Sequence, residues 1–526
     1  MTVRQSFFIV APITLVLIAG LSYLWHPVLW AYVIVLPLVA VGMYDATHGR
    51  HNVLRNYPVI GHIRYFAEFI RPEIQQYFIA TNQSGRPYSR EARDMVAARA
   101  QGLDAVQPFG TQHDLLSTGE DFALHSLAAK PPPHADARVR FGGPACTKPY
   151  DASRLNISAM SFGALSSNAI LALNTGTKMA GCCHDTGEGG LSDHHLAGGG
   201  DLVWQIGTGY FGCRTKEGGF DPKLFAEKAA ADQVKMIEIK LSQGAKPSHG
   251  GILPAAKITP EIARIRGIPM GQDCISPPIH SAFEGPRGLL NFVTQLRELS
   301  GGKPVGFKLC VGPRREFLSI VKAMLETGIR PDFITVDGAE GGTGAAPIEF
   351  TNRLGMPINE GLAFVHNALV GAGLRDEIRI VASGKVTSGF DMVVKAALGA
   401  DTCNAARAFM FSVGCIQALR CHSNSCPTGV ATQDPSRARA VIVADKAPMV
   451  ANYQKATVAM FLDLVGAMGL SSVSELGPHH ILRRMDDSSA RGYDRIYPVP
   501  PAGSFVNGAM PEEFAHDWHA ASAERF

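Results

Sequence analysis

The sequence predicts an α/β fold in which eight strand–helix units close into a barrel, preceded by an apolar helical hairpin and a small helical cap. Beyond Gly142, short apolar runs end in glycine or polar residues, and stretches with helical periodicity follow them, as at 314–327 and 390–398. Eight such units suit a (β/α)8 TIM barrel. A doubly wound sheet is the alternative, but no G-x-G-x-x-G motif opens a helix after a strand, which also disfavours a built-in NAD(P)H domain.

Length and composition outline the chain. Its 526 residues exceed one ordinary domain. We divide them into a transmembrane hairpin (1–48), a helical cap and linker (49–140), the barrel with a cysteine-rich loop (141–470) and a C-terminal tail (471–526). A formal net charge of +3 predicts no nucleic-acid partner. Cysteines without a disulfide framework favour a reducing compartment.

Two apolar runs at the N-terminus, 7–25 and 28–44, each approach the roughly 20 residues that a membrane-spanning helix needs. Only His26 and Pro27 separate them, which predicts a helical hairpin that crosses the bilayer twice. A cleaved signal peptide is one alternative, and a single span with an interfacial helix is another. The second apolar run and the thiol-rich body argue against export.

Basic residues flank the hairpin: Arg4 precedes it, and Arg50 and Arg55 follow it. Because positive charge is retained on the cytoplasmic side, both ends are expected there. The protein is therefore predicted to be membrane-anchored, with its catalytic body in the cytoplasm. The cap that follows carries aromatic residues at helical spacing, among them Phe66 and Phe69, which we expect to cover the surface of the body.

The predicted barrel strands follow one another along the second half of the chain. In order they are 155–159, 181–185, 236–241, 273–276, 305–310, 333–337, 378–383 and 402–405. A further apolar run at 202–212 lies between the second and third of these strands, and we interpret it as an excursion outside the barrel.

The active site of such a barrel lies at the carboxyl ends of its strands, often with a phosphate site after strands seven and eight. Gly384 and Lys385 directly follow the seventh predicted strand, and Arg407 follows the eighth. Backbone N–H groups near Gly384, helped by a cation, would cradle a phosphate. His249 and His280 fall in loops expected at the same face and are candidate proton donors.

Glycines after the sixth strand allow a flat ring or a phosphate to approach the backbone. They are Gly338, Gly341, Gly342 and Gly344. Lys308 ends the fifth strand and would stabilise negative charge on a reduced flavin ring. Together with the phosphate site, these residues predict FMN as the cofactor.

Three cysteines are concentrated at 414–434, in GCIQALRCHSNSCPTGVATQD. Cys415, Cys421 and Cys426 show the spacing C-x5-C-x4-C, and Pro427 follows the last. Such a set suits an iron–sulfur cluster. A [3Fe-4S] cluster needs only three protein ligands, and this run has no fourth cysteine. On spacing alone, three buried structural thiols are an equal alternative.

From about residue 50 to 435 the chain resembles the FMN-binding synthase domain of glutamate synthases, and in particular a stand-alone, membrane-anchored branch of that family. The matching motifs are SAMSFGALS, TGEGG, KLSQGAKPSHGG, PEIARIRG, ISPP, FKL, DGAEGGTGAAP and GCIQALRCHSNSCPTGVATQDP. The resemblance implies two cofactors, FMN and a [3Fe-4S] cluster held by the three cysteines. It also implies a reaction, the reduction of 2-iminoglutarate, formed from 2-oxoglutarate and ammonia, to L-glutamate.

Roles for individual residues follow from the same resemblance. FMN would be held by Ser158, Ala159, Met160, Lys308, Asp337, Gly338, Gly341, Gly342, Gly344, Gly384, Lys385 and Arg407. The dicarboxylate substrate would be surrounded by the catalytic residues Glu188, Lys246, Arg266 and Ser276. The chemistry agrees, because an arginine can grip a carboxylate with two hydrogen bonds.

The chain departs from the family at one loop. It reads PSHGGI where the family reads PGEGGQ, so Ile252 replaces a substrate-binding glutamine. A site built for that amide would lose affinity without it. Two alternatives therefore stay open: an FMN barrel acting on another carboxylic or amino acid, and a membrane-tethered redox relay without turnover.

The partners are also expectations. The roughly 100 residues before the barrel are too few for the family's glutaminase module, so ammonia would come free or from a partner. Electrons would come from a separate donor, a ferredoxin or an NAD(P)H-oxidising subunit. Whether the chain forms a homo-oligomer is left open.

Overall fold

The computed structural model describes residues 2–48 and 51–526 and divides into two units, Met1–Arg90 and Glu91–Phe526. Arg50, one of the basic residues used to orient the hairpin, lies outside the described residues. The second unit contains the barrel. Its strands are β1 (Leu155–Ile157), β2 (Cys183–Asp185), β3 (Asp201–Ile206), β4 (Val234–Lys240), β5 (Val305–Leu309), β6 (Phe333–Asp337), β7 (Arg379–Ser383) and β8 (Thr402–Ala405).

Each barrel strand pairs in parallel with the next one along the chain. The ring closes between β8 and β1, where Cys403 is in register with Leu155 and Ala405 with Ile157. The predicted (β/α)8 barrel is confirmed. Both faces of such a strand are buried, which is why a strand such as Val305–Leu309 appears in the sequence as a largely apolar run.

One predicted strand is wrong, and the apolar run interpreted as an excursion is the strand that replaces it. Cys274–Ile275 pairs antiparallel with Ile252–Leu253 in a separate two-stranded sheet. Asp201–Ile206, within the run at 202–212, lies between β2 and β4. A short apolar run suits either position, because periodicity does not reveal the neighbours with which a strand forms hydrogen bonds.

Helices connect the barrel strands in order. After β1 to β8 they are Ser167–Ala180, Asp193–Ala197, Pro222–Ala229, Gly285–Leu299, Arg314–Thr327, Ile358–Gly371, Gly389–Ala397 and Arg407–Ser412. Further helices are Arg90–Ala100, Pro260–Arg266, Ile348–Arg353, Pro435–Ala438, Val443–Ala467, Tyr493–Ile496 and Glu512–Ala520. Asp121–Ala123, Ile481–Arg484 and Ala490–Gly492 form a small sheet.

The amino-terminal end of the barrel is filled by apolar side chains. A hairpin of Arg138–Phe141 and Tyr150–Ser153 supplies Phe141 and Ala152, which cluster with residues near the starts of the barrel strands. The Phe141 ring packs edge-on against Phe333, with centroids 5.6 Å apart. This packing closes the amino-terminal end of the barrel.

The first unit begins with two apolar helices, Val3–Ser22 and Tyr32–His48, joined by a turn at His26–Ala31. The Tyr32 hydroxyl donates to the Leu15 carbonyl at 2.8 Å, and Arg4 donates to the Ala46 carbonyl at 3.1 Å. These contacts make the pair an antiparallel hairpin with both ends on one side. The segments Val3–Ser22 and His26–His48, the second including the turn, are each long and apolar enough to cross a membrane.

The rest of the first unit contains Asn52–Asn56, Gly61–Ile74 and a π-helical turn, Gln75–Ile79. Phe66 and Phe69 are each 62% exposed.

Candidate active site

Charged and polar side chains from several strands meet at the open end of the barrel. Ser158, after β1, lies with its hydroxyl oxygen 3.3 Å from that of Ser383 at the end of β7. Lys308 Nζ, on β5, lies 3.4 Å from Asp337 Oδ2 at the end of β6. The structure thus brings together residues that the sequence predicted separately for the cofactor.

The loop after β6 folds tightly against its neighbours. The Gly338 N–H donates to the Ser383 carbonyl at 2.9 Å, and the Gly341 N–H donates back to the Gly338 carbonyl at 2.8 Å. A side chain at Gly244, in the loop after β4, would collide with the Gly338 carbonyl oxygen. The Gly244 N–H instead donates to Asp337 Oδ2 at 2.9 Å. Glycine is needed at Gly244 because two backbones touch there.

The turn after β7 has an unusual backbone. Gly384 has a φ of +154° and Lys385 a φ of +49°. A left-handed conformation at a residue other than glycine is uncommon and concentrates at functional sites. Consecutive N–H groups in such a turn form an anion-binding concavity. This is the position at which the sequence predicts a phosphate.

Arg407 lies at the start of the helix after β8 and reaches the loop after β6. Its guanidinium donates to the Glu340 carbonyl at 2.6 Å. A Cβ atom at Gly342 would lie 2.7 Å from Arg407 Nε, whereas a Cβ atom at Gly344 would meet open space. Gly342 therefore leaves room for the guanidinium, and Gly344 is not required on steric grounds.

A polar network fills the barrel interior beneath these groups, and sequence reasoning did not identify it. Gln205 donates to Glu238 at 2.7 Å and to Asp185 at 3.3 Å, and Thr335 donates to Glu238 at 2.6 Å. Burial, followed by the neighbouring Glu238, raises the pKa of Asp185 well above its usual range. Burial lowers the pKa of Lys308, but the surrounding carboxylates outweigh it and raise the pKa overall. Lys308 is therefore charged.

Glu188 and its cationic neighbours form a second group. Glu188 Oε1 lies 2.6 Å from Lys240 Nζ, at the end of β4. Burial opposes ionisation of Glu188, but Lys240, Arg266 and Lys246 lower its pKa overall. Lys240 was missed in the sequence. The signal was present in MIEIKL, where Glu238 and Lys240 alternate with apolar residues and so face the barrel interior together.

The two predicted substrate-binding cations are buried. Lys246 Nζ donates to the Ala345 carbonyl at 2.9 Å, and burial lowers the pKa of Lys246 to about 8. Arg266 donates to the Phe162 carbonyl at 3.3 Å and lies 5.0 Å from the centroid of the Phe211 ring. Within the part of the chain that the structure describes, the Nε atom of Arg266 is buried and has no hydrogen-bond partner. An acceptor supplied by a ligand would satisfy it.

Close packing places Ser276 beside this group. A Cβ atom at Gly207 would lie 2.7 Å from Glu188 Cβ, and one at Gly251 would collide with Glu188 Oε1. The Ser276 N–H donates to the Gly251 carbonyl at 2.9 Å. Ile252, which follows Gly251, is in register with Ile275. The loop that departs from the family pattern thus packs closely against Glu188.

His280 is a structural residue rather than an acid. Its Nε2 donates to the Lys240 carbonyl at 2.9 Å, so Nδ1 accepts from the Tyr210 hydroxyl at 3.0 Å. Burial lowers the pKa of His280 to about 4, which leaves the ring neutral near pH 7. His249 lies 3.0 Å from the Gly250 carbonyl.

The three cysteines lie in the loop after Arg407–Ser412, and their thiols are free. Gln417, Leu419 and Asn424 in this loop have φ values between +55° and +58°. The Gln417 N–H points at Cys415 Sγ, 3.4 Å away, and the Thr428 hydroxyl lies 3.5 Å from Cys426 Sγ. Among the described residues, no group of three or more His, Cys, Asp or Glu side chains is placed to hold a metal ion.

The thiols influence one another electrostatically. Burial raises the pKa of Cys415 to about 12, and the neighbouring Cys421 and Cys426 add to the increase. Burial also disfavours the Cys426 thiolate, but hydrogen bonds led by the Ala431 N–H lower its pKa overall. Lys257 lies beside this loop and donates to the carbonyls of Cys421 and Ala431, each at 3.2 Å.

Comparison with known proteins identifies the family. A family model described as a conserved region in glutamate synthase matches residues 146–471. A glutamate synthase large subunit-like protein, YerD, of Bacillus subtilis is 36% identical over 507 residues, which cover 88% of this chain and 96% of that protein. The archaeal glutamate synthase [NADPH] of Methanocaldococcus jannaschii is 36% identical over 321 residues, 61% of this chain and 60% of that protein.

Solved structures with a similar architecture are more distant. A mandelate oxidase is 14% identical, with a TM-score of 0.40 over 82% of this chain and 99% of that one. A flavocytochrome b2 is 11% identical, with a TM-score of 0.42 over 80% and 85%. The extent of the family match and of the similarity to YerD decides the assignment: the chain belongs to the glutamate synthase family and is a glutamate synthase-like oxidoreductase.

Proposed function

We propose that this protein binds FMN and a [3Fe-4S] cluster and reduces 2-iminoglutarate, formed from 2-oxoglutarate and ammonia, to L-glutamate. The observation that carries the substrate is the charge balance around Glu188. Three cations, Lys240, Lys246 and Arg266, surround one carboxylate. Buried charges need partners, so the surplus of two positive charges fits a ligand with two carboxylates.

The residues at the open end of the barrel fit FMN. Gly384, Lys385 and Arg407 would hold its phosphate, and the glycine loop after Asp337 would lie along the ribityl chain. Lys308, which is buried and charged, would face the negative charge that a reduced ring carries. When bound, FMN supplies a carrier that takes up single electrons and gives up a hydride.

The cysteine loop fits a cluster for three reasons. Its backbone adopts left-handed conformations at three residues other than glycine, N–H groups point at two of the sulfurs, and the buried cation Lys257 lies beside Cys421 and Cys426. Neighbouring thiolates repel one another, so a cationic centre between them would stabilise the thiolate form of all three cysteines. When bound, the cluster supplies single electrons from a separate donor, a ferredoxin or an NAD(P)H-oxidising subunit.

The chain's own groups would manage the protons. Converting the imine to the amine takes up two electrons and two protons in total. Glu188 is ionised and paired, so it orients Lys240 rather than donating a proton. Lys246 has a pKa of about 8, which suits a general acid near neutral pH. We assign to Lys246 the proton that the carbinolamine hydroxyl takes up when it leaves as water and the imine forms.

Ile252 favours a second candidate function, the same chemistry on a 2-oxo or 2-amino acid with an apolar side chain. Its place directly after Gly251, in register with Ile275, puts an apolar side chain in the loop that contacts Glu188. Such a substrate would gain contact with Ile252 where a γ-carboxylate would lose a hydrogen bond.

Anaerobic reduction of the purified full chain tests these proposals. The purified protein is expected to show flavin and iron absorbance. After reduction, addition of 2-oxoglutarate and ammonium is expected to reoxidise the flavin and to form glutamate. Reoxidation only by apolar 2-oxo acids with ammonium would support the second candidate. If none of these compounds reoxidises the flavin, the remaining interpretation is a redox relay without turnover. Absence of flavin and iron from the purified protein would exclude both cofactor proposals.

We also propose that the apolar hairpin anchors the protein in a membrane with both ends on the cytoplasmic side. The hydrogen bond from Arg4 to Ala46 supports a common side for the two ends. Resistance of the full chain to alkaline carbonate extraction is expected, and release into the soluble fraction would contradict the proposal.

A further inference from the structure

The helix Gly61–Ile74 and its continuation Gln75–Ile79 have two distinct faces. The apolar face consists of residues three or four positions apart: Ile63, Phe66, Ile70, Ile74 and Tyr77. The polar face consists of Arg64, Glu68, Arg71 and Gln75. Residues at this spacing share one side of a helix. The α-helix Gly61–Ile74 is therefore amphipathic.

Most side chains of the apolar face are exposed. Ile63 is 68% exposed, Phe66 is 62% exposed and Tyr77 is 49% exposed. On the polar face, Arg64 and Glu68 form an ion pair with a distance of 3.0 Å. A contiguous row of large exposed apolar side chains on one side of a helix indicates an interaction surface.

The start of this helix is attached to the end of the apolar hairpin. Asp45, near the end of Tyr32–His48, is buried and accepts from the Val59 N–H at 3.0 Å. His62, in the first turn of Gly61–Ile74, lies 2.9 Å from the same carboxylate. A Cβ atom at Gly61 would come within 2.9 Å of Leu54 Cδ2. The helix therefore begins where the second apolar helix ends.

We propose that Gly61–Ile74 lies along the surface of the bilayer that the hairpin enters, with its apolar face among the acyl chains and its polar face in water. This inference rests on the proposed membrane anchoring. A segment that begins where a spanning helix ends lies at the level of the lipid headgroups, where an amphipathic helix buries its apolar face. That continuity makes lipid, rather than a protein partner, the occupant of the face.

The composition of the helix also defines the kind of lipid. Its two arginines, Arg64 and Arg71, are balanced by Glu68 and Glu73. Anionic lipids attract segments with an excess of Lys and Arg, and this helix has none. Burial of apolar area therefore drives the interaction, and a zwitterionic phosphatidylcholine bilayer is sufficient.

Photocrosslinking in the full chain tests the proposal. p-Benzoylphenylalanine is placed at Phe66 on the apolar face, at Tyr65 as a matched control, and at Phe8 in the first apolar helix. Tyr65 is suited to the control because its ring packs on His51, with centroids 4.9 Å apart. The three proteins are reconstituted in phosphatidylcholine nanodiscs and irradiated, and lipid adducts are measured by mass spectrometry.

Phe8 and Phe66 are expected to yield lipid adducts at least five times as abundant as those from Tyr65. Adding anionic lipid is expected to change the Phe66 yield less than twofold. Adducts from Phe66 to residues 91–526 or to a second copy of the chain, with lipid adducts still formed at Phe8, would overturn this inference alone. No lipid adduct at Phe8 would overturn the anchoring and this inference with it. If the Phe66 variant does not fold, the same probe at Ile63 gives the same comparison.

Discussion

Lys240 Nζ and Glu188 Oε1 lie 2.6 Å apart at the carboxyl end of the barrel, although Lys240 is the last residue of β4 and Glu188 follows β2. Both side chains are largely buried. Charge-assisted hydrogen bonds of this kind are short and strong. The pair holds Glu188 ionised and limits it to orienting the cations around it. The remaining positive charge in the group is the charge that the proposed dicarboxylate substrate would neutralise.

Replacing Glu188 by Gln should test the role of this pair. The loss of a hydrogen bond to a charged group costs about 1.5–3 kcal/mol, so kcat/KM for 2-oxoglutarate should fall roughly 10- to 150-fold while FMN content is unchanged. Glu261→Gln is the matched control, since Glu261 pairs with His194 instead, and its kcat/KM should stay within twofold of the unmodified protein. Equal losses in the two variants would contradict the assignment.

The pH dependence of substrate binding should follow Lys246. Burial lowers its pKa to about 8 in the folded protein, so the side chain is charged below pH 8 and neutral above it. KM for 2-oxoglutarate should therefore rise as the pH increases from 7 to 9. In Lys246→Met the KM should be high throughout and should not change across this range. A pH profile retained in that variant would assign the titration to another group.

The same shift has a consequence for stability, because the unfolded chain binds a proton at Lys246 that the folded chain releases between about pH 8 and its usual pKa near 10.5. The free energy of unfolding should gain a favourable contribution from this lysine as the pH rises through that window. Chemical denaturation of the full chain and of Lys246→Met at pH 8 and pH 10 measures it as a difference between the two proteins. No difference would show that the lysine titrates normally.

Gly342 and Gly344 offer a matched pair for the cofactor site. A methyl group at position 342 would press on Arg407 Nε, whereas one at position 344 would meet open space. Overpacking of this kind costs about 1–3 kcal/mol, so Gly342→Ala should weaken FMN binding about tenfold and Gly344→Ala should have little effect. Flavin fluorescence during titration of each apoprotein with FMN gives the dissociation constant of each variant. Similar losses in the two variants would mean that Arg407 does not position the phosphate.

Lys257 should control the chemistry of the cysteine loop. Its ammonium donates to three carbonyls, those of Ala164, Cys421 and Ala431. Lys257→Met should leave them unsatisfied, at about 1–3 kcal/mol for each buried group, and should lower iron content. Loss of the cluster should then leave Cys421 without an iron ligand and accessible to thiol labelling.

Lys303→Met is the control for that experiment. Lys303 also donates to two buried carbonyls, those of Ala229 and Ala231, and lies away from the cysteines. The Lys303→Met substitution should lower the melting temperature without changing the iron content or the labelling of Cys421. If both variants lose iron equally, Lys257 has only a general structural role.

Local sequence explains why most barrel strands could be predicted. Phe333–Asp337 is a run of apolar and β-branched residues closed by Gly338, and its observed bounds match the prediction. Asp201–Ile206 and Cys274–Ile275 could not be separated in this way, because both are short and apolar. The pairing of Asp201–Ile206 with β2 and β4 depends on residues distant in the chain, which periodicity does not report.

The sequence by itself determined the barrel class, the apolar hairpin, the glycine-rich and cysteine-rich loops and the family, because each of these is written in local pattern or in motif. Only the tertiary structure decided that Lys240 neutralises Glu188, that Gly342 makes room for Arg407 and that Phe66 is exposed. The physical reason is common to all three. Charge pairing, close packing and burial depend on distances between residues that barrel closure and helix packing bring together, and those distances are not encoded in any single stretch of the chain.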